Sequence, residues 1–398
     1  MQTNIAIIGG GLGGLATALF LRQAGFNATV YEAVSELREV GAGIVVPPNM
    51  VRLLERLGLS DSLKRTAVEL EAAWEFRRWQ DGRILSSQPM GERCVELYGT
   101  HCYVAHRADL MNMLKAAIPP EQLKLGHRCT SIQAVANGVE LEFTTQAGAK
   151  VNVHADAVIG ADGIHSVVRP TVVPADEARY SGLCAFRCLV PADAAPEMAL
   201  RPVQTLWLGP NKHFVHYPIS GGQYVNIVAI VPAGDWRSES WTEDGDVGDL
   251  MREFDGWDPR LHDMILAATD TKRWALYDRL PLARWSNNRV TLLGDAAHAM
   301  MPLFAQGAAQ AIEDAAVLAQ CFSIHVQDKN AASVTEALKQ YEAIRQPRAS
   351  EVQTMSRGRE IRNHFPDGPE QVQRDEELAR GDPLKQSAWL YGYDALNR

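Results

Sequence analysis

The stretch that decides the fold reads Asn4-Ile5-Ala6-Ile7-Ile8-Gly9-Gly10-Gly11-Leu12-Gly13-Gly14-Leu15. The apolar run Asn4 to Ile8 breaks into glycines, and Leu15 to Ala24 then carries apolar residues at helical spacing, closed by Gly25. A second apolar run, Ala28-Thr29-Val30-Tyr31, ends at Glu32, 18 positions after Gly14. Strand, glycine turn, helix and strand form a βαβ unit, which predicts a parallel sheet. In that setting Gly9-x-Gly11-x-x-Gly14 reads as a dinucleotide fingerprint. Gly9 permits the tight turn. Gly11 lets the backbone approach a pyrophosphate at the helix N-terminus, and Gly14 lets the helix pack closely on the strand. Glu32 is placed to accept hydrogen bonds from a ribose diol and disfavours a 2′-phosphate, so the expected dinucleotide is FAD or NAD.

Two further strand-to-turn motifs lie downstream. Gly160-Ala161-Asp162-Gly163-Ile164-His165-Ser166-x-x-Arg169 follows the apolar Ala157-Val158-Ile159, and Arg289-Val290-Thr291-Leu292-Leu293 runs into Gly294-Asp295-Ala296-Ala297-His298. Each alone reads equally well as a turn with an Asp at a helix N-cap. Between the first two motifs, Val139–Thr145 and Lys150–His154 alternate like paired antiparallel strands. From Glu177 to Leu282 the pattern is short strands with many aromatics, among them 205–208, 213–219 and 224–231. From Gly307 to about Arg359 it is helical, including 333–344 and 347–356, with Pro347 marking a helix start or a kink. The class is α/β. Residues 1–70, 106–176 and 280–365 are expected to form one discontinuous cofactor domain. Residues 71–105 and 177–279 would form a β-rich substrate domain, and 366–398 a polar C-terminal tail.

Composition narrows the function classes. A chain of 398 residues with 46% hydrophobic and 22% charged residues can bury a sizeable core. A net charge of −9 disfavours nucleic acid as a partner, because phosphate binding wants a basic surface. No run approaches the roughly 18–20 apolar residues that cross a bilayer, and the N-terminus lacks the features of a signal peptide. The expectation is a cytoplasmic protein without membrane attachment. Cys94, Cys102, Cys129, Cys184, Cys188 and Cys321 include no Cys-x-x-Cys pair, so they read as buried small apolar residues, and no metal site is expected.

Together, in this order and spacing, the three motifs resemble the flavoprotein aromatic hydroxylases typified by p-hydroxybenzoate hydroxylase, over roughly residues 3–360. The resemblance implies a Rossmann-like FAD-binding domain of the GR2 type with an inserted β-rich substrate domain and C-terminal helices. By the same resemblance, Gly9, Gly11, Gly14 and Glu32 hold the ADP half of FAD. Asp162 and Gly163 lie near the pyrophosphate, Asp295 binds the ribityl and pyrophosphate region, and Arg38 and Arg107 contact the FAD backbone. Gly307 and Ala308 open a helix whose N-terminus faces the flavin, and the Pro302 carbonyl lies near the substrate. Glu313 and Asp314, one turn further on, read as ordinary helix surface. A single fingerprint implies a transient pyridine nucleotide site, with NADH favoured over NADPH. The implied reaction is NAD(P)H-dependent hydroxylation of a small hydroxylated aromatic acid by O2, through a flavin C4a-hydroperoxide.

Several stretches are similar to the salicylate hydroxylase, 3-hydroxybenzoate 6-hydroxylase and 6-hydroxynicotinate 3-monooxygenase subgroup: Gly41-Ala42-Gly43-Ile44, Pro47-Pro48-Asn49, Trp207-Leu208-Gly209-Pro210, Ala305-Gln306-Gly307-Ala308 and Trp389-Leu390-Tyr391-Gly392-Tyr393. On a strand, His213, Val215 and Tyr217 share one face, and Phe214 and His216 the other. His213 and Tyr217 are the expected substrate-orienting and acid–base residues, with His216 taking that place if the opposite face lines the pocket. Val45 stands where 6-hydroxynicotinate enzymes carry a histidine, and Leu303 and Phe304 where a second histidine is expected. Val45, Leu303 and Phe304 thus predict an apolar pocket suited to a benzene ring over a hydroxypyridine, with Val45, Pro302 and Leu303 as the expected substrate-binding residues beside His213 and Tyr217. A salicylate-like substrate would be hydroxylated with loss of CO₂; 6-hydroxynicotinate and 3-hydroxybenzoate remain alternatives. The halogenase motif Trp-x-Trp-x-Ile-Pro is absent. A flavin dehydrogenase, or an FAD-binding sensor without turnover, is the rival outside this chemistry. Monomer and homodimer are both open.

Overall fold

The computed structural model describes residues 3–37, 43–240, 243–326 and 331–397. Asn4–Ile8 pairs in parallel with Asn27–Tyr31 on one side and Ala157–Gly160 on the other, and Ala157–Gly160 pairs in parallel with Val290–Leu292. The three strands that lead into the three motifs are therefore neighbours inside one six-stranded sheet. Their carboxyl ends, and so the three turns, open at one edge, where open α/β sheets bind ligands. Ile5, Ile7, Val158, Ile159 and Leu292 are completely buried, as strands covered on both faces require.

The glycine spacing is fixed by contact. A Cβ on Gly14 would stand 2.0 Å from the Gly9 carbonyl oxygen, and one on Gly13 would stand 2.8 Å from the Leu293 side chain. The helix Leu12–Gln23 can therefore lie against its own strand and against the third motif only without side chains at these points. Gly9 itself has φ +105°, a conformation that favours glycine.

A second sheet has seven strands in the order Asp270–Asp278, Arg179–Pro191, Tyr224–Pro232, Lys212–Ile219, Val203–Gly209, Ala72–Arg78, Ile84–Pro89. On one face Phe186, Trp207, Phe214 and Ile227 pack with Leu250, Phe254, Leu261 and Ile265 from the helices Val247–Glu253 and Pro259–Leu266. The other face, with Leu206, Val215, Tyr217 and Ile230, looks towards the cofactor motifs. His216 belongs to the first face. It is buried, and neither ring nitrogen has a hydrogen-bond partner among the described residues.

Two expectations about the C-terminal third change. The helical segments on either side of Pro347 are one helix, Ala331–Asn363, with Pro347 inside it. Arg345 and Arg348, flanking the proline, both pair with Glu313, so the two sides of Pro347 are anchored to one carboxylate. The segment set apart as a tail forms the helices Pro369–Arg380, Pro383–Gln386 and Ala388–Tyr391. Leu378, Leu384, Leu390 and Tyr391 are buried in the core against the second sheet. All six cysteines are free and buried. Among the described residues no helix is long and apolar enough to cross a membrane.

Glu313 and Asp314 are not helix surface: both are fully buried, as is Arg345. The helix Gly307–His325 that carries them is enclosed on nearly all sides, so its polar positions had no solvent face to occupy. Arg345 donates to Glu313 Oε2 at 2.6 Å and Asp314 Oδ1 at 2.7 Å; Arg348 adds a 2.7 Å bond to Glu313, and Asn49 another at 2.7 Å. Burial alone would raise both carboxyls. Arg345, with Arg348 at Glu313 and His298 at Asp314, outweighs it and keeps both below their ordinary values. Removing one partner of such a buried ion pair costs about 3–5 kcal/mol, because charge is left uncompensated in the interior. Arg345→Met is expected to lower the free energy of urea unfolding by that amount; a loss below about 1 kcal/mol would place the cluster with weak surface pairs instead.

His216 yields a second expectation. Burial, with the Arg77 and Arg201 charges, pulls its pKa down to about 3. The unfolded chain therefore binds this proton first, and stability falls by about 1.4 kcal/mol per pH unit as pH drops below the ordinary histidine value. In His216→Leu, which removes the titrating group and roughly keeps the volume, the stability lost between pH 7 and pH 5 should be about 2 kcal/mol smaller than in the parent. Parallel unfolding profiles would show that His216 is not held neutral.

Candidate active site

A cavity of about 750 Å³ runs from the first fingerprint to the second sheet. Gly9, Gly11, Glu32, Asp162, Gly163 and Asp295 border one part of it. A Cβ built on Gly11 meets nothing within 4 Å, so the backbone there faces open space. Glu32 accepts the Gly10 N–H at 2.6 Å and the Val34 N–H at 2.9 Å, which shapes the glycine loop as well as placing a carboxylate at the cavity. Asp162 borders the cavity and also shapes its own turn. Its carboxylate accepts the Ser166 hydroxyl at 2.5 Å and the Val167 N–H at 2.7 Å, so it secures the turn that brings Gly163 to the cavity. Arg169 then links the second motif to the third by donating to the Ala296 carbonyl at 2.7 Å.

The third motif is held from beneath by Asp314, which accepts the Gly294 N–H at 3.1 Å and pairs with His298 at 2.6 Å. Asp295 is left exposed at the cavity. The helix Gly307–His325 starts there without a side-chain cap, two residues after Ala305 at φ +51°. Gly307 and Ala308 border the cavity, and unpaired first-turn N–H groups favour an electron-rich ligand. Arg107 lines the cavity as well; Arg38 lies outside the described residues. An open backbone at Gly11, an acid at the end of the second strand and an uncapped helix start on one continuous cavity fit FAD. His127, Arg128 and Cys129 also border it. No motif announced them, since they enter from the strand His127–Val135 of a separate three-stranded sheet.

At the second sheet the strand Lys212–Ile219 turns His213, Val215 and Tyr217 into the cavity and leaves Phe214 and His216 behind. Val45, Pro302 and Leu303 complete that end with Leu206 and Ile230. The strand Gly43–Val46 is locked to it: Asn226 accepts the Gly43 N–H at 2.8 Å, and a Cβ on Gly43 would stand 2.7 Å from the Tyr217 ring. Burial pushes the Tyr217 phenol up to about 12 against the opposing charge of Arg187, so this hydroxyl stays protonated and can donate. His213 is driven the other way, well below its usual value, by burial and then by His364. It is therefore a neutral imidazole. Its Nδ1 lies 2.6 Å from Nε2 of His364.

Sequence reasoning missed four residues at this end. Arg187 borders the cavity with its guanidinium 4.8 Å from the Trp274 ring. Its signal was available, as the one charge within the apolar Leu183–Val190 run of a central strand. Gln204 and Trp74 also line the cavity. The Gln204 Oε1 has no hydrogen-bond partner among the described residues, and Trp74 has φ +49°, which is unusual for a bulky residue. His364 had no local signal, because its partner is 151 residues away.

Residues 2–356 match the family model described as an FAD binding domain. The chain is 41% identical over 394 residues to 3-amino-4-hydroxybenzoate 2-monooxygenase of Streptomyces platensis, covering 99% of this chain and 97% of that one. It is 34% identical over 404 residues to 6-hydroxynicotinate 3-monooxygenase of Pseudomonas fluorescens, covering 99% and 96%. Among solved structures, Klebsiella pneumoniae R204Q HpxO complexed with FAD superposes with a TM-score of 0.85 at 29% identity, covering 98% of each chain. With three motifs converging on one cavity and relatives matched along nearly their whole length, the chain belongs to the FAD-binding family and is a flavin-dependent aromatic monooxygenase.

Proposed function

We propose that this enzyme hydroxylates a small hydroxybenzoate, binding the ring between Val45, Leu206 and Leu303 with its carboxylate towards Arg187 and its phenol towards His213 and Tyr217. The observation that carries the reading is the placement of a neutral imidazole, a protonated phenol and a guanidinium around an apolar slot that is continuous with the cofactor part of the cavity. Bound FAD supplies electron transfer from a reduced pyridine nucleotide and the activation of O2. The chain's own residues have three tasks.

The first is orientation. A guanidinium in a mostly apolar recess binds a carboxylate strongly and fixes the ring's direction. The second is to raise electron density on the ring. His213 is neutral and able to accept the phenolic proton, while Tyr217 donates a hydrogen bond to the oxygen that becomes negative. The third is exclusion of water by the apolar walls, which strengthens these interactions. One oxygen atom enters the ring and the other leaves as water, with two electrons from the nucleotide. The absence of histidine at Val45 and at Leu303-Phe304 favours a benzene ring over a hydroxypyridine. The relative named for 3-amino-4-hydroxybenzoate points the same way.

The deciding experiment follows oxygen uptake and NADH or NADPH oxidation with 3-amino-4-hydroxybenzoate, 3- and 4-hydroxybenzoate, salicylate, anthranilate and 6-hydroxynicotinate, with products weighed by mass spectrometry. Stimulation by a benzene acid, with a product heavier by one oxygen or one lacking CO₂, is the expected result. Stimulation by 6-hydroxynicotinate alone would reverse the assignment of the ring. With the acid so identified, Arg187→Gln should raise KM about 10- to 100-fold, the loss expected for a charged hydrogen bond, with a far smaller effect on a phenol lacking the carboxyl. Equal effects on both would remove Arg187 from the carboxylate. Tyr217→Phe should lower kcat about tenfold or more without loss of FAD. An unchanged kcat would leave Tyr217 as wall rather than donor.

A further inference from the structure

His213 is connected to a part of the chain that the reaction does not otherwise use. His364 follows the long helix Ala331–Asn363, and its Nε2 lies 2.6 Å from His213 Nδ1, with both rings buried. Several contacts fix it there. Its carbonyl accepts the Asn211 N–H at 3.1 Å, from the turn two residues before His213. That turn is set by Asn211 at φ +59°. Arg374 donates to the carbonyls of Arg362 and Asn363, at 3.1 and 3.4 Å, just before the ring. Asp375 pairs with Arg374, and Asp367 pairs with Arg78 at 2.6 Å and accepts the Trp79 N–H at 3.3 Å, tying the segment after His364 to the second sheet. A surface helix end does not need this set of anchors. They hold one imidazole against another.

The contact constrains proton placement. Two neutral imidazoles that share one hydrogen bond carry one proton between the facing nitrogens, and the choice decides what His213 offers the cavity. If His213 Nδ1–H donates, its Nε2 keeps a lone pair and can take a proton. If His364 Nε2–H donates, His213 Nε2 carries hydrogen and can only donate. The surroundings favour the first arrangement. Tyr217 already supplies a donor to the cavity, so a second donor at His213 would leave the phenolic proton with no base to take it; the Gln204 amide oxygen, which also lines the cavity, can accept a hydrogen bond but not the proton itself. Burial disfavours an imidazolium at either ring, reinforced by the facing imidazole at His213 and by Arg374 at His364, while Asp367 and Asp375 are engaged by Arg78 and Arg374. Lys212, next to His213, is paired with Glu253 at 2.6 Å.

We infer that His364 is a positioning residue for hydroxylation: by accepting the Nδ1–H of His213 it holds that ring in the tautomer whose Nε2 takes the substrate's phenolic proton. When that proton arrives, His213 carries both hydrogens, the phenolate left beside it supplies the opposite charge that the buried ring otherwise lacks, and the Nδ1 proton shifts towards His364 Nε2, spreading the positive charge over two rings. No bond other than N–H and O–H changes and no further reactant is required. The inference rests on the acid–base reading of His213, and it brings the C-terminal segment into the active site.

The test uses FAD-loaded enzyme with ¹⁵N-labelled histidine, His213 being assigned from His213→Gln. The wild type should show His213 protonated at Nδ1 and bare at Nε2. In His364→Phe, which keeps a ring of similar size, that state should be lost. His364→Gln, whose amide oxygen can still accept, should restore it. With the panel acid that the enzyme hydroxylates, His364→Phe should lower kcat about tenfold while KM changes less than about threefold, and should shift ionisation of the bound phenol upward by about one pH unit. His364→Gln should recover most of both. A wild-type His213 protonated at Nε2, or a His364→Phe enzyme with unaltered tautomer and pH profile, would overturn the inference. If His213→Gln itself leaves kcat and phenol ionisation unchanged, the proposed role of His213 fails first. If His364→Phe loses FAD or unfolds, the His364→Gln spectrum and kinetics decide alone, and a loss of tautomer there would also overturn the inference.

Discussion

The buried ion cluster around Arg345 is the constraint on which most of the molecule depends. Three helices and the third motif meet at it: Asn49 from Pro48–Arg56, Glu313 and Asp314 from Gly307–His325, Arg345 and Arg348 from Ala331–Asn363, and His298 and Gly294 from the turn after Val290–Leu292. Burying so many charges is favourable only when each is matched, and here each carboxylate oxygen has a cationic or amide partner. The result is a rigid platform. Its upper side is the Gly294-Asp295 turn and the uncapped start of the Gly307 helix, two backbone elements that border the cavity. A less specific apolar core could stabilise the same helices, but it would not fix the rotation of Gly307–His325 about its axis. That rotation determines which N–H groups reach the cavity.

The sequence made the cofactor half legible because that chemistry uses backbone. A turn that must approach a pyrophosphate needs glycine at set positions, and those positions are visible without any fold. Gly9 and Gly11, the two strand-to-aspartate turns and Gly307-Ala308 border one cavity, while Gly14 lies against the Gly9 carbonyl. The Arg345 cluster was hidden for the opposite reason. Glu313 and Asp314 sit at helical positions that look solvated, and only the packing of a helix 31 residues away supplies the arginine that permits their burial. Local charge statistics describe the usual surface helix and fail for an enclosed one.

The substrate half was legible only in part. Period-two alternation put His213 and Tyr217 on one strand face and His216 on the other, but no local feature says which face meets the cofactor. That is decided by long-range contacts, Gly43 against Tyr217 on one side and Phe254 against Phe214 on the other. Arg187 shows the same limit from another direction. A charge in the middle of a central strand is an anomaly that the sequence displays openly, yet its meaning appears only when the strand is seen to border the cavity.

These two halves meet different physical demands, and the C-terminal segment reconciles them. Cofactor binding asks for a preorganised backbone, which the ion cluster provides deep within the first layer. Handling the substrate's proton asks for a side chain that is neutral, oriented and shielded from water. A buried histidine is neutral almost automatically, since burial disfavours its charged form. Neutrality alone leaves the tautomer undetermined, and an imidazole in the wrong tautomer is a donor where a base is needed. His216 is the contrast within the same strand: equally buried and neutral, but with no hydrogen-bond partner for either nitrogen among the described residues. At His213 the orientation comes from His364, delivered by the helix that also carries Arg345. The middle of one helix thus holds the carboxylates beneath the Gly294-Asp295 turn, and its C-terminal end leads directly into the partner of the candidate base.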